Sequence, residues 1–309
     1  MEILDRLFTF DGTGTLLGLP FVRSALLAAV VLGLVAGLLA PLIVARGMAF
    51  AVHGTSELAF TGGAAALLAG VSVSLGAVVG AVLAALLFGV LGLRQRERDS
   101  VIGVVLAFGL GLGVLFLALY DGRAANKFGL LTGSIVSVDS TNLVVLGVTA
   151  LLVLGTLGVF YRPLLFSSTD PEVAAARGVP VRLLAPLFAV LVGLTTALAV
   201  PVVGAILVLA VMVTPGAAAA QVTANPAKAT ALSILFAESA LLGGIVLSLG
   251  PGLPISGYVA TIVFLWYLLC RLVARLRRTG RSRPAEPTRR PGDRRANDAD
   301  LPLEETTAR

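Results

Sequence analysis

Charge is scarce in this chain. Asp, Glu, Lys and Arg make up 13% of its 309 residues, against about 25% in ordinary soluble domains. Only two lysines are present, Lys127 and Lys228, and neither lies in a GxxxxGK[ST] motif, so the chain has no P-loop of its own. GxSxG and HExxH are also missing, which argues against an intramembrane hydrolase. A single cysteine, Cys270, excludes an internal disulfide and any cysteine-cluster metal site. With one histidine, His53, a tight structural zinc site within one chain is disfavoured as well. No residue is assigned a catalytic role, and the chain reads as something other than an enzyme, with no cofactor bound in it. The opening MEILDRLFTFDGTG is acidic where a cleaved signal peptide is basic.

What is present is apolar surface. Hydrophobic residues account for 57% of the sequence, and residues 24–45, 58–93, 100–120, 143–161, 183–227 and 239–270 contain no Asp, Glu, Lys or Arg. A membrane span needs about 20 predominantly apolar residues. The runs 58–93 and 183–227 are too long for one span and accommodate parts of two. The expected fold class is therefore an all-α polytopic membrane protein with about nine transmembrane helices. They are placed at 22–42, 49–70, 72–93, 101–120, 143–162, 183–200, 202–220, 229–249 and 255–273, with breaks near Gly70–Ser74 and near Pro201.

Positive charge orients these spans. One set of connections carries Arg46, then Arg94, Arg96 and Arg98, then Arg162, Arg177 and Arg182, then Lys228 and the basic tail. The other side has only Arg6, Arg23, Arg123 and Lys127. The C-terminus is thus expected in the cytoplasm and the N-terminus outside, in a multi-pass protein of the plasma membrane. The domains expected are an extracytoplasmic segment at 1–20, a membrane domain at 21–275 and a disordered tail at 276–309, whose Pro, Gly and charge content cannot build a core. The arginines of that tail read as a positive-inside anchor beside membrane lipid rather than as a nucleic-acid site.

Three ionisable residues fall well inside expected spans: His53, Glu57 and Glu238. Intramembrane charges usually face a bundle interior or a water-filled path. His53 and Glu57 are spaced i, i+4 and share one helix face. From the expected span starts, Glu57 and Glu238 both lie roughly 12–15 Å deep and could share a level. Either the three line a translocation path, as contacts for a transported divalent metal, or they form an interhelical lock that only secures packing. The connection 163–182, PLLFSSTDPEVAAARGVPVR, predicts a short cytoplasmic helix. Asp170 is its N-cap, Pro171 its first residue, Glu172 sits at its positive end, and Gly178 and Pro180 stop it. Such a helix is either a plain connector or a docking element for a soluble partner.

DPEVAAARGVPVRLL resembles the DPE-x-A-x-x-x-G-x-P-V segment of zinc/manganese-type permeases of ATP-binding-cassette (ABC) importers. LLTGSIVSVDSTNL, VVGAILVLAVMVTPGAAAAQV and GLPISGYVATIV resemble further segments of that family in the same order. RGMAFAVHGTSELAFTG falls on its early R-x-M-x-x-x-x-D-x-x-x-H-x-x-x-P-G stretch. The resemblance runs over about 20–275. In the early stretch His53 stands where the family usually has Asp, Glu57 where it has His, and Thr61 where it has Pro. The acid and the imidazole have exchanged places at unchanged spacing, a donor set that suits a divalent cation.

The resemblance implies a bundle like those of vitamin B12 and metal permeases, acting as the membrane subunit of an importer of zinc, manganese or iron. It implies a second permease copy, as homodimer or heterodimer. A separate ABC ATPase subunit would hold the ATP and engage Asp170, Pro171, Glu172 and Gly178. An extracytoplasmic metal-binding protein would deliver the ion. The competing readings are an ATP-independent secondary cation transporter or channel, in which Glu57 and Glu238 relay protons or cations, and a membrane scaffold or unfamiliar enzyme. Neither gives the DPEVAAARG helix a use.

Overall fold

The computed structural model describes residue 16 and residues 18–91, 95–133, 140–251 and 253–279. Every regular element among these is helical, as lipid requires of a chain that must satisfy its backbone internally. In order they are α1 Pro20–Ala45, α2 Ala49–Leu68, α3 Val73–Leu91, α4 Gln95–Leu119, α5 Ala124–Thr132, α6 Ser140–Thr169, α7 Pro171–Ala176 and α8 Val181–Val203. A 3₁₀ turn at Ala205–Leu207 precedes α9 Val208–Val222, α10 Pro226–Leu249 and α11 Ile255–Thr279.

Each expected span has a helix. Seven stretches among the described residues are long and apolar enough to cross a membrane: Pro20–Ala45, Asp99–Leu119, Leu143–Thr169, Val181–Val203, Ala205–Val222, Pro226–Leu249 and Ile255–Arg277. Two expected spans fall short of that measure. α2 is diluted by its polar run His53–Gly54–Thr55–Ser56–Glu57, and the apolar helix described in α3 is the shorter Val73–Phe88.

Several boundaries depart from the sequence reading. The break between the sixth and seventh spans lies at Gly204 rather than at Pro201, which is inside α8. Gly204 has φ +83°, and a Cβ there would collide with the Leu131 carbonyl and the Gly133 amide, so the stop is set by a backbone only glycine adopts freely. Helix α11 continues to Thr279, past the expected span end at 273. Helix α5 was not expected; its C-terminal end packs backbone to backbone on the end of α8. The N-terminal segment up to residue 15, Arg94, residues 134–139 and the tail from 280 lie outside the described residues.

The packing has two neighbourhoods. α2 is enclosed by α3, α4 and α8, while α1 packs against α10, α9 and α6, and α11 lies across α9 and α10. Glycines set the closest approaches. A Cβ at Gly62 of α2 would strike the Gly76 carbonyl of α3, and one at Gly80 of α3 would strike the Leu58 carbonyl of α2. Small residues of this kind let helix backbones touch where no hydrophobic effect drives them together. Large apolar side chains turn outward on the peripheral helices, among them Val104 and Phe108 of α4, Leu151 and Val159 of α6 and Leu265 of α11. These faces suit hydrocarbon rather than water.

Candidate ion path and coupling helix

α2 places the candidate pair. Three residues separate it from α1, and the turn between them is a Schellman stop: Met48 N donates to Ile43 O at 3.0 Å and Gly47 N to Val44 O at 3.1 Å, with Gly47 at φ +62°. His53 and Glu57 follow one turn apart on the enclosed helix. Glu57 is 7% exposed, and its carboxylate has no hydrogen bond or ion pair among the described residues. The Nδ1 atom of His53 is buried and without a hydrogen-bond partner.

The helix around the pair is tied by its own hydroxyls. Thr55 Oγ1 donates back to the Val52 carbonyl at 2.8 Å and lies 3.3 Å from Thr196 Oγ1 of α8. Thr196 in turn lies 3.4 Å from Met212 Sδ of α9. Ser56 Oγ donates to the His53 carbonyl at 2.7 Å. Thr61, which replaces the resembled family's proline, points its hydroxyl at the Glu57 carbonyl (2.7 Å) and at the Gly109 carbonyl of α4 (2.5 Å). The backbone that carries Glu57 is thus held by α4 while its side chain stays uncommitted.

Glu238 does not join the pair within this chain. It stands on α10 against α1, where a Cβ added at Gly33 would lie 2.8 Å from its Cδ and 2.9 Å from each carboxylate oxygen. Its Oε2 atom is buried and unpartnered. α10 starts at Pro226, three residues earlier than expected, so Glu238 lies about 18 Å along its helix and Glu57 about 12 Å along α2. Among the described residues no three His, Cys, Asp or Glu side chains form a group that could hold a metal ion. Similar depth along two helices thus does not by itself make Glu238 a neighbour of the His53–Glu57 pair within one chain.

The expected cytoplasmic helix is present as α7. Asp170 is its N-cap and accepts from Val173 N at 3.0 Å, Pro171 takes the first helical position, and Glu172 lies in the first turn. Arg177 closes it, and Gly178 at φ +82° completes a Schellman stop, with Val179 N donating to Ala174 O at 3.0 Å. No atom lies within 4 Å of where a Gly178 side chain would begin. Pro171, Glu172, Val173, Ala175 and Ala176 are exposed, so this short helix turns most of its surface away from the bundle.

One constellation escaped the sequence reading. Arg46, counted there only as a positive-inside charge, turns inward. Its Nε donates to Ser168 Oγ at 2.7 Å, and its Nη2 donates to Ser167 Oγ at 2.7 Å and to the Leu164 carbonyl at 3.3 Å. Its guanidinium lies 4.4 Å from the Phe188 ring centroid. Burial lowers its pKa to about 10, which leaves it charged at neutral pH. A signal was available: Arg46 is the only Asp, Glu, Lys or Arg between Arg23 and Glu57.

Known proteins resemble this chain along most of its length. The chain is 34% identical to the manganese transport system membrane protein MntC of Halalkalibacterium halodurans over 243 residues, 78% of this chain and 82% of that protein. It is 27% identical over 225 residues to the high-affinity zinc uptake system membrane protein ZnuB of Haemophilus influenzae, 72% of this chain and 86% of that one. In structure it is similar to PsaBC from Streptococcus pneumoniae, solved in complex with Fab. The TM-score is 0.75 at 26% identity, covering 89% of this chain and 99% of that one. The family profile described as ABC 3 transport family matches residues 18–274, and the chain belongs to that family.

Proposed function

We propose that this chain is the membrane-spanning permease subunit of an ABC importer for a divalent transition metal. Manganese or zinc is favoured by the names of its relatives, and iron shares the same ligand chemistry. The observation that carries the reading is the His53–Glu57 face of α2. The His53 Nδ1 atom is buried without a hydrogen-bond partner among the described residues, and one turn further on the same helix stands Glu57, 7% exposed, with no hydrogen bond to its carboxylate among those residues. An interhelical lock would satisfy both groups, because an unpaired buried polar atom is costly. A path for a cation needs them free: fixed ligands offset the loss of hydration, and few of them let the ion leave. Glu238, on its separate interface, serves a second position along the path or a structural role at Gly33.

In this reading all nine expected spans cross the bilayer, with α2 enclosed by its neighbours and α3 turning Leu75, Val79, Leu83 and Leu86 toward lipid. The N-terminus lies outside and the C-terminus in the cytoplasm. A separate ATPase subunit docks on α7 through Asp170, Pro171, Glu172 and Gly178. A second permease copy completes the path, and an extracytoplasmic metal-binding protein supplies the ion. Element-by-element metal content of a deletion strain, with and without the restored gene, tests the function. A specific deficit in manganese, zinc or iron supports it, and an unchanged metal profile with an intact ATPase partner contradicts it.

A further inference from the structure

A basic residue placed beside a membrane only to orient it extends its charge into water. Arg46 does the reverse. Its fork engages three acceptors in the last turns of α6, and its plane lies over Phe188, which is completely buried in α8. The acceptors are prepared for it. Ser167 and Ser168 each donate their hydroxyl proton to the Leu164 carbonyl, at 3.0 and 2.5 Å, which leaves oxygen lone pairs for the guanidinium. No carboxylate pairs with Arg46 among the described residues. Its charge is balanced by these dipoles and by the negative C-terminal ends of α1 and α6, between which it sits.

The position of this contact gives it a use. Ser168 is two residues before Asp170, the cap of α7, and α6 passes into α7 through that one residue. α8 begins directly beyond α7, at Val181. The guanidinium therefore bridges the two helices that carry the exposed α7. On its other side Arg46 is three residues from the first residue of α2. α1 and α2 separate after their turn instead of packing side by side, so α1 does not hold α2 in place.

We propose that Arg46 is a positioning residue for energy coupling: it ties the frame of α7 to the cytoplasmic end of α2, so that displacement of α7 is carried to the helix bearing His53 and Glu57. This rests on the proposed function for what α7 and α2 do, but the mechanical link is measurable without transport. Lys in place of Arg46 keeps the charge and loses the fork, and Gln loses the charge.

The test uses the full chain assembled with its ATPase subunit in lipid nanodiscs, in a Cys270→Ser background. Spin labels are placed at Thr169, at the end of α6, and at Leu68, at the far end of α2, both exposed in the chain. The expected result is a label separation that stays the same between nucleotide-free and ATP-trapped states in the parent. In Arg46→Gln and in the Ser167→Ala/Ser168→Ala pair it shifts between those states. Radiolabelled manganese or zinc taken up per ATP hydrolysed falls by about tenfold or more in Arg46→Lys, the scale of one charge-assisted hydrogen bond. Adding Arg46→Gln to the serine pair lowers it no further.

A merely structural staple predicts lower membrane abundance with an unchanged uptake-to-ATP ratio, and that result overturns the proposal. So does a parent separation that already varies with nucleotide, or one that Arg46→Gln leaves constant. Absence of metal uptake by the unsubstituted chain would count against the proposed function instead, while the label distances still decide the link.

Discussion

Gly62→Ala should be among the most damaging single-methyl additions to this bundle. The new Cβ would meet the Gly76 carbonyl, and a backbone atom in a packed helix cannot turn aside as a side chain can, so α2 and α3 must part. Overpacking of this kind costs about 1–3 kcal/mol, a fall of about 2–10 °C in the unfolding midpoint. Gly54→Ala supplies an intermediate case. Its Cβ would stand 2.7 Å from Ile102 Cγ2 and 2.8 Å from Phe88 Cζ, side-chain atoms rather than backbone, so the cost falls at the lower end of the same range, about 1 kcal/mol. Gly155→Ala meets nothing within 4 Å on α6. There the better helix propensity of alanine, about 1 kcal/mol, leaves the midpoint unchanged or slightly raised. The sole cysteine provides the assay: Cys270 is 5% exposed, so a thiol-reactive dye reports unfolding of the otherwise unaltered chain. The order Gly62 worst, Gly54 intermediate and Gly155 neutral is expected. A Gly62→Ala midpoint equal to that of Gly155→Ala would refute the close α2–α3 packing.

Gly178→Leu should leave the spans folded, because open space surrounds the site and only backbone strain of about 1–2 kcal/mol is added. Uptake per ATP should nonetheless fall, and normal transport with normal ATPase stimulation would remove α7 from the coupling role. Asp170→Ala removes the acceptor for Val173 N, about 1 kcal/mol in a helix of six residues, and should weaken co-purification of the ATPase subunit. Asp170→Asn, which still caps, should not. A reporter fused after Arg278 should lie in the cytoplasm and one inserted near Gly129 outside; the same side for both would break the nine-span topology.

The long apolar helices were legible because hydrocarbon leaves a chain few alternatives: each uncharged run is helical over its described residues apart from the turns that divide it. The α7 segment was legible for a different reason, since Asp170, Pro171 and Gly178 act on their own backbone within a few residues. Helix ends were less so. Pro201 looks like a break, yet a bundle tolerates proline inside α8, and the true stop is the positive-φ glycine three residues on. Side-chain company was not legible at all. Glu238 and Glu57 have similar apparent depths, but only the packing of α10 on α1 shows that Glu238 lies against Gly33. The engagement of Arg46 with Ser167 and Ser168 joins residues more than 120 positions apart, which spacing along one chain cannot reveal.

Whether the His53–Glu57 pair on α2 contacts the transported ion is decided by uptake of radiolabelled manganese and zinc in three variants, each normalised to membrane abundance. Glu57→Gln changes charge and basicity while preserving shape, and it should abolish uptake in a protein that still inserts and assembles. His53→Asp supplies the carboxylate that the resembled family usually carries at this position, and it should transport better than His53→Leu. A structural role predicts the opposite: Glu57→Gln transports normally, and His53→Asp, which adds a charge to the bundle centre, fails to assemble while His53→Leu works.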